Sequence, residues 1–541
     1  MPAETSIKTN PLPHQSKAFE RLKDLHNAGL FWTMGRGKTK TAIDLAVYHY
    51  MNGHCGGVLI VAPKLVHQQW VEQQIPAHCG IPYRAHAFVP RPNKGQVKLF
   101  REFMGGCAED AIRFLAVHVD FFSQKVVKNE YLEQFIRMYN PMIILDEATR
   151  VKNPSSLRTN ALSKLRRTLS GPALVLTGTA LAKRPSDVWS IMEFMDYDIL
   201  KQGYIPFRNR YCLMRRSEFQ LGNGKSVNVQ TELTEQAYNR IKAHWKNASG
   251  KGLSLQDFCF SSAVLYGMHP NDLKFVVESP VYVKYRYLDE LKERLDPVVD
   301  FITPQDDVQL PPKKMEEFFF PLDKVQKDLI RDLKQNALAT YGDGVLTLLT
   351  ASALYTKALQ ICGGFLNAED IHGRGVAIEL KCPNPKLQYI IDDIDELGGA
   401  QFIVFAVFRE EIKMLVKKLS QVASVRAIYG DVTDLERQEA LSKFASGEVQ
   451  GLIMNPSVGG YGMNLQNATT QYWYSRSYNT EDRLQAEGRS QRIGTVVSPV
   501  YKDLVYDCEF ERRVLESNRT GKSMQEFFTG LKSVEEIFGQ F

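Results

Sequence analysis

The chain has 541 residues, of which 44% are hydrophobic and 24% charged, a composition typical of a soluble protein with two or three separately cored domains. Its 67 Lys and Arg against 61 Asp and Glu give a net charge of +6, which permits nucleic-acid binding without arguing for it. The eight cysteines are scattered without any Cys-x-x-Cys pair, so we expect reduced thiols. Because the chain lacks a leader-like start and an apolar run of about 18 residues, it predicts neither secretion nor membrane insertion.

A phosphate-binding loop is predicted near the N-terminus, in the run Met34-Gly35-Arg36-Gly37-Lys38-Thr39. Its glycines would let backbone N–H groups surround a triphosphate, while the lysine would reach the β- and γ-phosphates and the threonine hydroxyl would bind Mg²⁺. An apolar run precedes the loop, and a helical pattern follows it. The match is incomplete, because Trp32 stands where the strict pattern has glycine.

Short apolar runs alternate with helical periodicity as far as about residue 200, which predicts a parallel sheet covered on both faces. Ligands of such sheets gather beyond the carboxyl ends of the strands, where polar residues follow several of these runs. The strongest predicted strands in this half are residues 58–62, 114–117, 142–145 and 173–176.

The remaining sequence divides into further segments that predict an α/β protein with two parallel-sheet lobes. Residues 201–295 break the alternation and are predicted to form an inserted helical protrusion, whose basic and aromatic residues suit either DNA or a solvated surface over a small core. Repeated prolines mark an interlobe bridge before the helical start of the second lobe. The predicted boundaries are 1–200 for the first lobe, 201–295 for the insertion, 296–384 for the bridge, 385–510 for the second lobe and 511–541 for a helical tail.

Two carboxylates, Asp146 and Glu147, follow directly after the apolar run 142–145. This placement suits phosphoryl transfer to water, with Asp146 holding Mg²⁺ and Glu147 orienting and deprotonating the attacking water. An isolated acidic pair would more simply be a solvated turn. Because this pair follows a phosphate loop at a domain-scale separation, we favour the catalytic interpretation.

Three residues near the end of the second half, Gln485, Arg489 and Arg492, are spaced four and then three apart. On a helix they would therefore share one face. A guanidinium directed at the γ-phosphate stabilises transition-state charge, which makes both arginines candidate arginine fingers. The alternative is an exposed basic face. Gly488, between them, predicts close packing or a tight approach at this helix.

In combination and order, these motifs resemble those of the superfamily-two helicases, and within them the Swi/Snf-type DNA translocases. Pro13-His14-Gln15 resembles the glutamine motif, and the run from Met34 to Thr39 resembles motif I. The remaining similar stretches are residues 61–64 (motif Ia), 146–149 (motif II), 176–181 (motif III), 404–408 (motif IV), 455–465 (motif V) and 485–494 (motif VI). Arg210-Tyr211-Cys212, after motif III, resembles the compact annealing and fork-remodelling branch, and the absence of accessory modules and targeting signals suggests a bacterial or phage source.

The resemblance implies two RecA-like lobes that bind ATP and Mg²⁺. Gln15, the loop residues 34–39 and Gln485 would contact the nucleotide. Lys38, Asp146, Glu147, Arg489 and Arg492 would be catalytic, and Thr39 and Asp146 would hold the metal. DNA contacts would come from Lys64, Thr179, Ser457 and Asn464. Arg36 replaces the family's usual apolar residue, and we expect it either to face solvent or to tune nucleotide affinity.

The leading hypothesis is therefore a monomeric ATPase, activated by double-stranded or branched DNA irrespective of sequence, that translocates along duplex and remodels DNA or displaces proteins. The alternative within this class is a strand-separating or branch-migrating helicase, which needs a wedge that the sequence does not reveal. An ATP-gated scaffold with negligible hydrolysis is a third possibility, which the catalytic residues argue against. A cytoplasmic location is expected for a bacterial or phage protein and a nuclear one for a eukaryotic protein.

Overall fold

The computed structural model describes eleven stretches of the chain, which divide into two compact units. Unit 1 comprises residues 1–33 and 38–306, and unit 2 comprises residues 34–37 and 307–541. The described residues are 8–64, 66–105, 111–123, 129–178, 184–220, 226–302, 313–341, 348–369, 375–459, 465–490 and 498–520.

Unit 1 is built on a seven-stranded sheet in which every pairing is parallel. The strands form because their apolar residues are buried on both faces, as in Val58–Ala62, where all five residues are buried. Its strands are β1 (Asn27–Trp32), β2 (Val58–Ala62), β3 (Tyr83–Ala87), β4 (Ile112–His118), β5 (Met142–Leu145), β6 (Ala173–Thr177) and β9 (Val299–Ile302). Their order across the sheet is β3-β4-β2-β5-β6-β1-β9.

Helices surround this sheet, and several begin at a side-chain cap. Asn93, for example, accepts a hydrogen bond from the Gln96 N–H, and the Gln96 side-chain oxygen accepts one from the Asn93 N–H. These two bonds cap the start of the helix Lys94–Met104. The helices of unit 1 before the insertion are Pro13–Leu22, Lys38–Met51, Val66–Gln69, Ile75–His78, Lys94–Met104, Glu130–Tyr139, Leu157–Thr168, Pro185–Met195 and Tyr197–Leu200.

The predicted insertion has a small apolar core of its own and an antiparallel hairpin, β7 (Met214–Gln220) with β8 (Ser226–Glu232). Its helices are Tyr204–Tyr211, Glu235–Gly250, Leu255–Tyr266, Pro270–Glu278 and Leu288–Leu295. Two arginines of the insertion are paired within it: Arg210 bonds to Glu290 through two nitrogens, and Arg286 lies 2.6 Å from Asp272. These pairs favour the interpretation of a small core with a solvated surface over that of a DNA-binding patch.

Unit 2 contains a second sheet, of six strands that are again all parallel. Its order is β10-β17-β16-β13-β15-β14, with apolar clusters on both faces of the central strands. The strands are β10 (Lys314–Phe320), β13 (Phe402–Phe405), β14 (Val425–Ile428), β15 (Gly451–Met454), β16 (Thr470–Trp473) and β17 (Val500–Tyr506).

A separate antiparallel hairpin, β11 (Phe365–Glu369) with β12 (Gly375–Glu379), also belongs to unit 2. The helices of this unit are Lys324–Tyr341, Leu348–Cys362, Pro385–Glu396, Arg409–Leu419, Asp434–Ala445, Pro456–Gly459, Thr480–Ser490 and Glu509–Thr520. No helix in the described stretches is both long and apolar enough to cross a membrane.

The predicted α/β class with two parallel-sheet lobes is confirmed by these two sheets. The segment predicted as a proline-rich bridge contributes an outer strand to each of them, β9 on one side of residues 303–312 and β10 on the other. The prolines predicted irregular chain between these strands, and residues 303–312 lie outside the described residues. The prolines did not reveal that the flanking residues pair with β1 and β17.

Candidate ATP-binding and hydrolysis site

The predicted phosphate loop lies between β1, which ends at Trp32, and the helix that begins at Lys38. Both loop glycines have a φ of 76°, a left-handed conformation that glycine adopts without strain. The Lys38 ammonium donates to the backbone oxygens of Trp32 and Thr33, at 2.8 and 3.3 Å, while Thr39 follows in the first turn of the helix. Strand, glycine turn and helix N-terminus therefore occur in the order that phosphate binding requires.

Trp32, the departure from the strict loop pattern, holds the strand before the loop in place. Its indole Nε1 donates to Asp300 Oδ2 at 2.7 Å, and Arg21 donates to the other oxygen of that carboxylate at 2.8 Å. Asp300 lies in β9, and Arg21 lies in the helix that also carries Gln15. A single carboxylate thus links the loop's strand to the helix of the predicted adenine-binding residue.

Gln15 is buried, with 5% of its surface exposed, and its Oε1 accepts from the Leu12 N–H at 2.8 Å. The side-chain oxygen therefore caps the start of its own helix. This fixes the orientation of the amide, whose NH₂ group is the part suited to donate to adenine N7. Arg36 is 5% exposed, so the expectation that it faces solvent is wrong.

The predicted acidic pair follows β5, and both residues are buried. Asp146 Oδ1 accepts from the Glu147 N–H at 2.9 Å, and Oδ2 accepts from the Trp70 indole at 2.9 Å. Glu147 has a φ of 51°, a left-handed conformation that costs a non-glycine residue free energy. Asp146 is therefore held through both oxygens, directly before a residue in a strained backbone conformation.

Trp70 was missed by the sequence interpretation, although it positions Asp146. It begins a single π-helical turn, Trp70–Gln74, between the helices Val66–Gln69 and Ile75–His78, and it is 1% exposed. Such turns occur frequently at functional sites because they redirect side chains within a helix. Asp146 lies 76 residues from Trp70, so no local pattern in the sequence links the two. The only signal in the sequence was a tryptophan shortly after motif Ia.

In unit 2, Gln485 and Arg489 lie one turn apart on the helix Thr480–Ser490, and each is 8% exposed. Their burial excludes the alternative of an exposed basic face. Gly488 on the same helix permits a close approach, because a Cβ there would lie 2.8 Å from the Cβ of Met34, which belongs to the same unit. The close packing predicted at this glycine is therefore present. Arg492 lies outside the described residues.

A network of buried charges holds this arginine-bearing helix and was also missed. Arg483 donates to both oxygens of Asp503 at 2.8 Å and to Glu487 at 2.7 Å. Burial lowers the pKa of the Arg483 guanidinium, but the carboxylates of Asp503 and Glu487 outweigh burial and raise that pKa. The paired charges explain why these residues tolerate a dry interior.

Two of the four predicted DNA-contacting residues lie among the described residues. Lys64 is exposed directly after β2. Ser457 is exposed at the start of the helix Pro456–Gly459, and its hydroxyl donates to Asn455 at 2.6 Å, so a bond from that hydroxyl to phosphate would have to replace this contact. Thr179 and Asn464 lie outside the described residues.

Replacing Trp70 with phenylalanine removes the donor to Asp146 while preserving an aromatic ring. We expect ATP turnover to fall about ten- to hundredfold and the Mg²⁺ concentration for half-maximal turnover to rise, because residues that orient a metal ligand have effects of this size. The matched control is Trp245→Phe, a change at a half-buried tryptophan of the insertion. Equal Mg²⁺ dependence in the Trp70→Phe variant and the wild type would contradict the assigned role.

Two family models match this chain: an SNF2-related domain over residues 14–244 and a helicase conserved C-terminal domain over residues 385–494. The first contains the phosphate loop and the acidic pair, and the second contains Gln485 and Arg489. The two matches thus occupy separate stretches, in the order that the motifs predict.

Among curated proteins, the chain is 30% identical over 208 residues to the ISWI chromatin-remodeling complex ATPase CHR17 of Arabidopsis thaliana, covering 35% of this chain and 18% of that protein. It is 19% identical over 569 aligned residues to the ATP-dependent helicase FUN30 of Saccharomyces cerevisiae, covering 95% of this chain and 47% of FUN30. The chain therefore spans less than half the length of either relative. The expected bacterial or phage source gains no support from these plant and yeast proteins.

Among solved structures, the chain is similar to the Sulfolobus solfataricus SWI2/SNF2 ATPase core in complex with dsDNA, at 18% identity and a TM-score of 0.36, covering 98% of this chain and 97% of that one. That TM-score is too low to support an inference about fold or ligand. The two family models, their order and the motifs within them are sufficient. The chain belongs to the Swi/Snf-type branch of the superfamily-two helicases, a family of ATP-hydrolysing enzymes.

Proposed function

We propose that this protein is a DNA-dependent ATPase that hydrolyses ATP on binding double-stranded DNA and translocates along the duplex, remodelling DNA structures or displacing bound proteins. The observation that carries the proposal is the rigid placement of Asp146 and Glu147 in the sheet that also presents the phosphate loop. In that sheet β5 and β1 are separated only by β6, so the acidic pair and the loop follow strands near its centre.

The residues present fit a magnesium ion. Asp146 offers carboxylate oxygens and Thr39 offers a hydroxyl, and Mg²⁺ prefers such hard oxygen ligands together with substrate phosphates. The described residues contain no group of three or more His, Cys, Asp or Glu that could hold a metal by itself. When bound, the ion would supply charge neutralisation on the β- and γ-phosphates.

The chain's own residues then have distinct tasks. Lys38 would exchange its bonds to the Trp32 and Thr33 carbonyl oxygens for phosphate oxygens, and the Gln15 amide would donate to adenine. Glu147 would accept the proton of the attacking water, next to an Asp146 held by Trp70. Arg489 would stabilise the negative charge that develops on the transferred phosphoryl group.

DNA would be held mainly through its phosphates, with Lys64, Thr179, Ser457 and Asn464 as proposed contacts. Contacts of this kind do not read base sequence, because phosphates are the same at every position. They also release condensed counterions, so the proposal includes binding that weakens steeply as salt rises. A monomeric state and Mg²⁺ dependence belong to the same proposal.

The direct test is phosphate release in the presence of duplex, single-stranded and forked DNA and of duplex RNA. We expect the strongest stimulation by double-stranded or forked DNA, and Lys38→Ala should reduce turnover by about a hundredfold or more, because it removes a cation aimed at the transferred group. Lys98→Ala is the control, since Lys98 is an exposed lysine whose ammonium lies 3.8 Å from Glu102. Undiminished turnover in Lys38→Ala, or no stimulation by any DNA, would reject the proposal.

A specific observation favours a second candidate function, strand separation at a fork. The sequence revealed no wedge, yet the insertion contains a two-stranded ribbon with seven paired positions, from Met214 opposite Glu232 to Gln220 opposite Ser226. A ribbon of this length reaches about 20 Å from its base, which is enough to enter a fork.

Shortening this ribbon separates the two functions. Replacement of residues 218–228 by an Asn-Gly turn should abolish unwinding of a forked duplex while leaving duplex-stimulated ATP turnover intact, if the ribbon is a wedge. The matched control shortens the hairpin of unit 2, Phe365–Glu369 with Gly375–Glu379, in the same way. If the wild type unwinds no fork, or if the shortened ribbon unwinds as well as the wild type, the wedge is excluded.

A further inference from the structure

The helix Thr480–Ser490, called the arginine helix below, is fixed to its neighbours by side chains at several points. Asp503, on β17, accepts a hydrogen bond from Arg483. The hydroxyl of Tyr501, on the same strand, donates to the Glu487 backbone oxygen at 3.2 Å. The Ser490 hydroxyl and the Tyr501 hydroxyl are 2.9 Å apart. The backbone that carries Arg489 is therefore held on both sides of that residue.

A further tether comes from the chain that joins the two units. The Lys313 ammonium lies 2.7 Å from Glu487 Oε2, while Glu487 Oε1 accepts from Arg483. Lys313 is the first described residue after 303–312, and within that stretch the chain passes from unit 1 to unit 2, between residues 306 and 307. One carboxylate thus connects the end of the interunit chain to the arginine helix, two residues before Arg489.

Lys313 and Glu487 differ in burial, and this difference bears on the role of their ion pair. The side chain of Lys313 is 40% exposed, whereas that of Glu487 is 6% exposed. Because a half-exposed lysine remains well hydrated without its partner, the pair contributes little to stability. Removing the lysine also leaves Glu487 paired with Arg483, so no buried charge is orphaned. Stability alone therefore gives little reason for this contact.

The position of Lys313 in the chain gives a better reason for its contact with Glu487. The Lys314 N–H donates to the Pro499 carbonyl at 3.1 Å, and β10 pairs with β17 from Lys314 opposite Val500 onward. The backbone beyond Lys313 is thus anchored beside the strand that carries Tyr501 and Asp503. Lys313 immediately precedes this anchored strand, which fixes the backbone from which its side chain reaches Glu487.

We infer that Lys313 is a positioning residue, which steadies the arginine helix through Glu487 and thereby sets the presentation of Arg489. The inference rests on the proposed function, because it assigns Lys313 to the turnover step for which Arg489 is proposed. Lys313 itself contacts neither nucleotide nor DNA in this account. Its loss should reduce the rate of hydrolysis rather than the affinity for ATP.

The test compares Lys313→Met with Lys313→Arg and with Lys314→Met, a change at the adjacent lysine, which pairs with Glu316 instead. We expect Lys313→Met to lower kcat about five- to tenfold, a size seen for residues that couple elements of a site, with little change in KM for ATP. Its Tm should fall by no more than about 2 °C. Lys313→Arg should restore most of kcat, and Lys314→Met should match the wild type.

Two further measurements make the outcome decisive. Combining Lys313→Met with Glu487→Gln should lower kcat no further than the more severe single change, because both remove the same link. Hydrogen exchange of the amides in Thr480–Ser490 should be faster in Lys313→Met than in Lys314→Met. Equal exchange in the two variants, equal kcat in the two variants, or a loss of kcat that merely follows a loss of Tm would overturn the inference.

Because hydrogen exchange needs no turnover, failure of this inference can be distinguished from failure of the proposed function. If the wild type hydrolyses no ATP, the proposed function fails, while the exchange comparison still decides whether Lys313 steadies the arginine helix. If the wild type is active and Lys313→Met behaves as Lys314→Met does, the inference fails and the proposed function stands.

Discussion

The parallel direction of all strands within each sheet is the constraint on which the site depends. When every strand runs the same way, all their carboxyl ends lie at one edge, and the turns that follow them are neighbours regardless of their distance in sequence. In unit 1 this places Thr33, which follows β1 and precedes the phosphate loop, at the same edge as the acidic pair after β5. In unit 2 the same rule places Asn455 after β15 and Ser475 after β16 at the corresponding edge.

Hydrogen-bonded polar side chains then fix the orientation of groups that the sheets place only approximately. Asp300 accepts hydrogen bonds from Trp32 and Arg21, Asp146 accepts one from Trp70, and Asp503 accepts one from Arg483. In each case the carboxylate accepts from a donor on a different element, and those of Asp146 and Asp503 are buried. Because charge-assisted bonds are strong and an unpaired buried carboxylate is costly, these contacts hold each pair of elements in one orientation. Catalysis by electrostatic preorganisation requires such locking, since groups that must reorient during the reaction stabilise the transition state less.

Local patterns in the sequence were sufficient for the central strands and for the turn and helix that carry the candidate nucleotide-binding residues. Val58–Ala62 and Met142–Leu145 are continuous apolar runs, so their burial in a parallel sheet follows from composition alone. The glycines of the loop and the four-residue spacing from Gln485 to Arg489 are likewise local. Both are found at the predicted positions in the structure, on a strand-to-helix turn and on one helix.

The supporting residues could not be predicted, because their partners are distant in sequence. Trp32 and Asp300 are 268 residues apart, and Lys313 and Glu487 are 174 apart. No periodicity links such pairs, and β9 was hidden within a segment whose prolines indicated irregular chain. The hairpin from Met214 to Glu232 was missed because its basic residues indicated a surface rather than a strand. Long-range pairing therefore accounts for most of what the sequence left undetermined.

Arg489 is proposed to act in hydrolysis together with Lys38 and Glu147. The most direct test measures ATP turnover at saturating duplex DNA, together with nucleotide affinity, in Arg489→Ala, with Arg331→Ala as an exposed control in unit 2. Turnover should fall about a thousandfold in Arg489→Ala, as for loss of an arginine finger, while nucleotide affinity changes little. Turnover close to that of the wild type in Arg489→Ala would show that this arginine takes no part in hydrolysis.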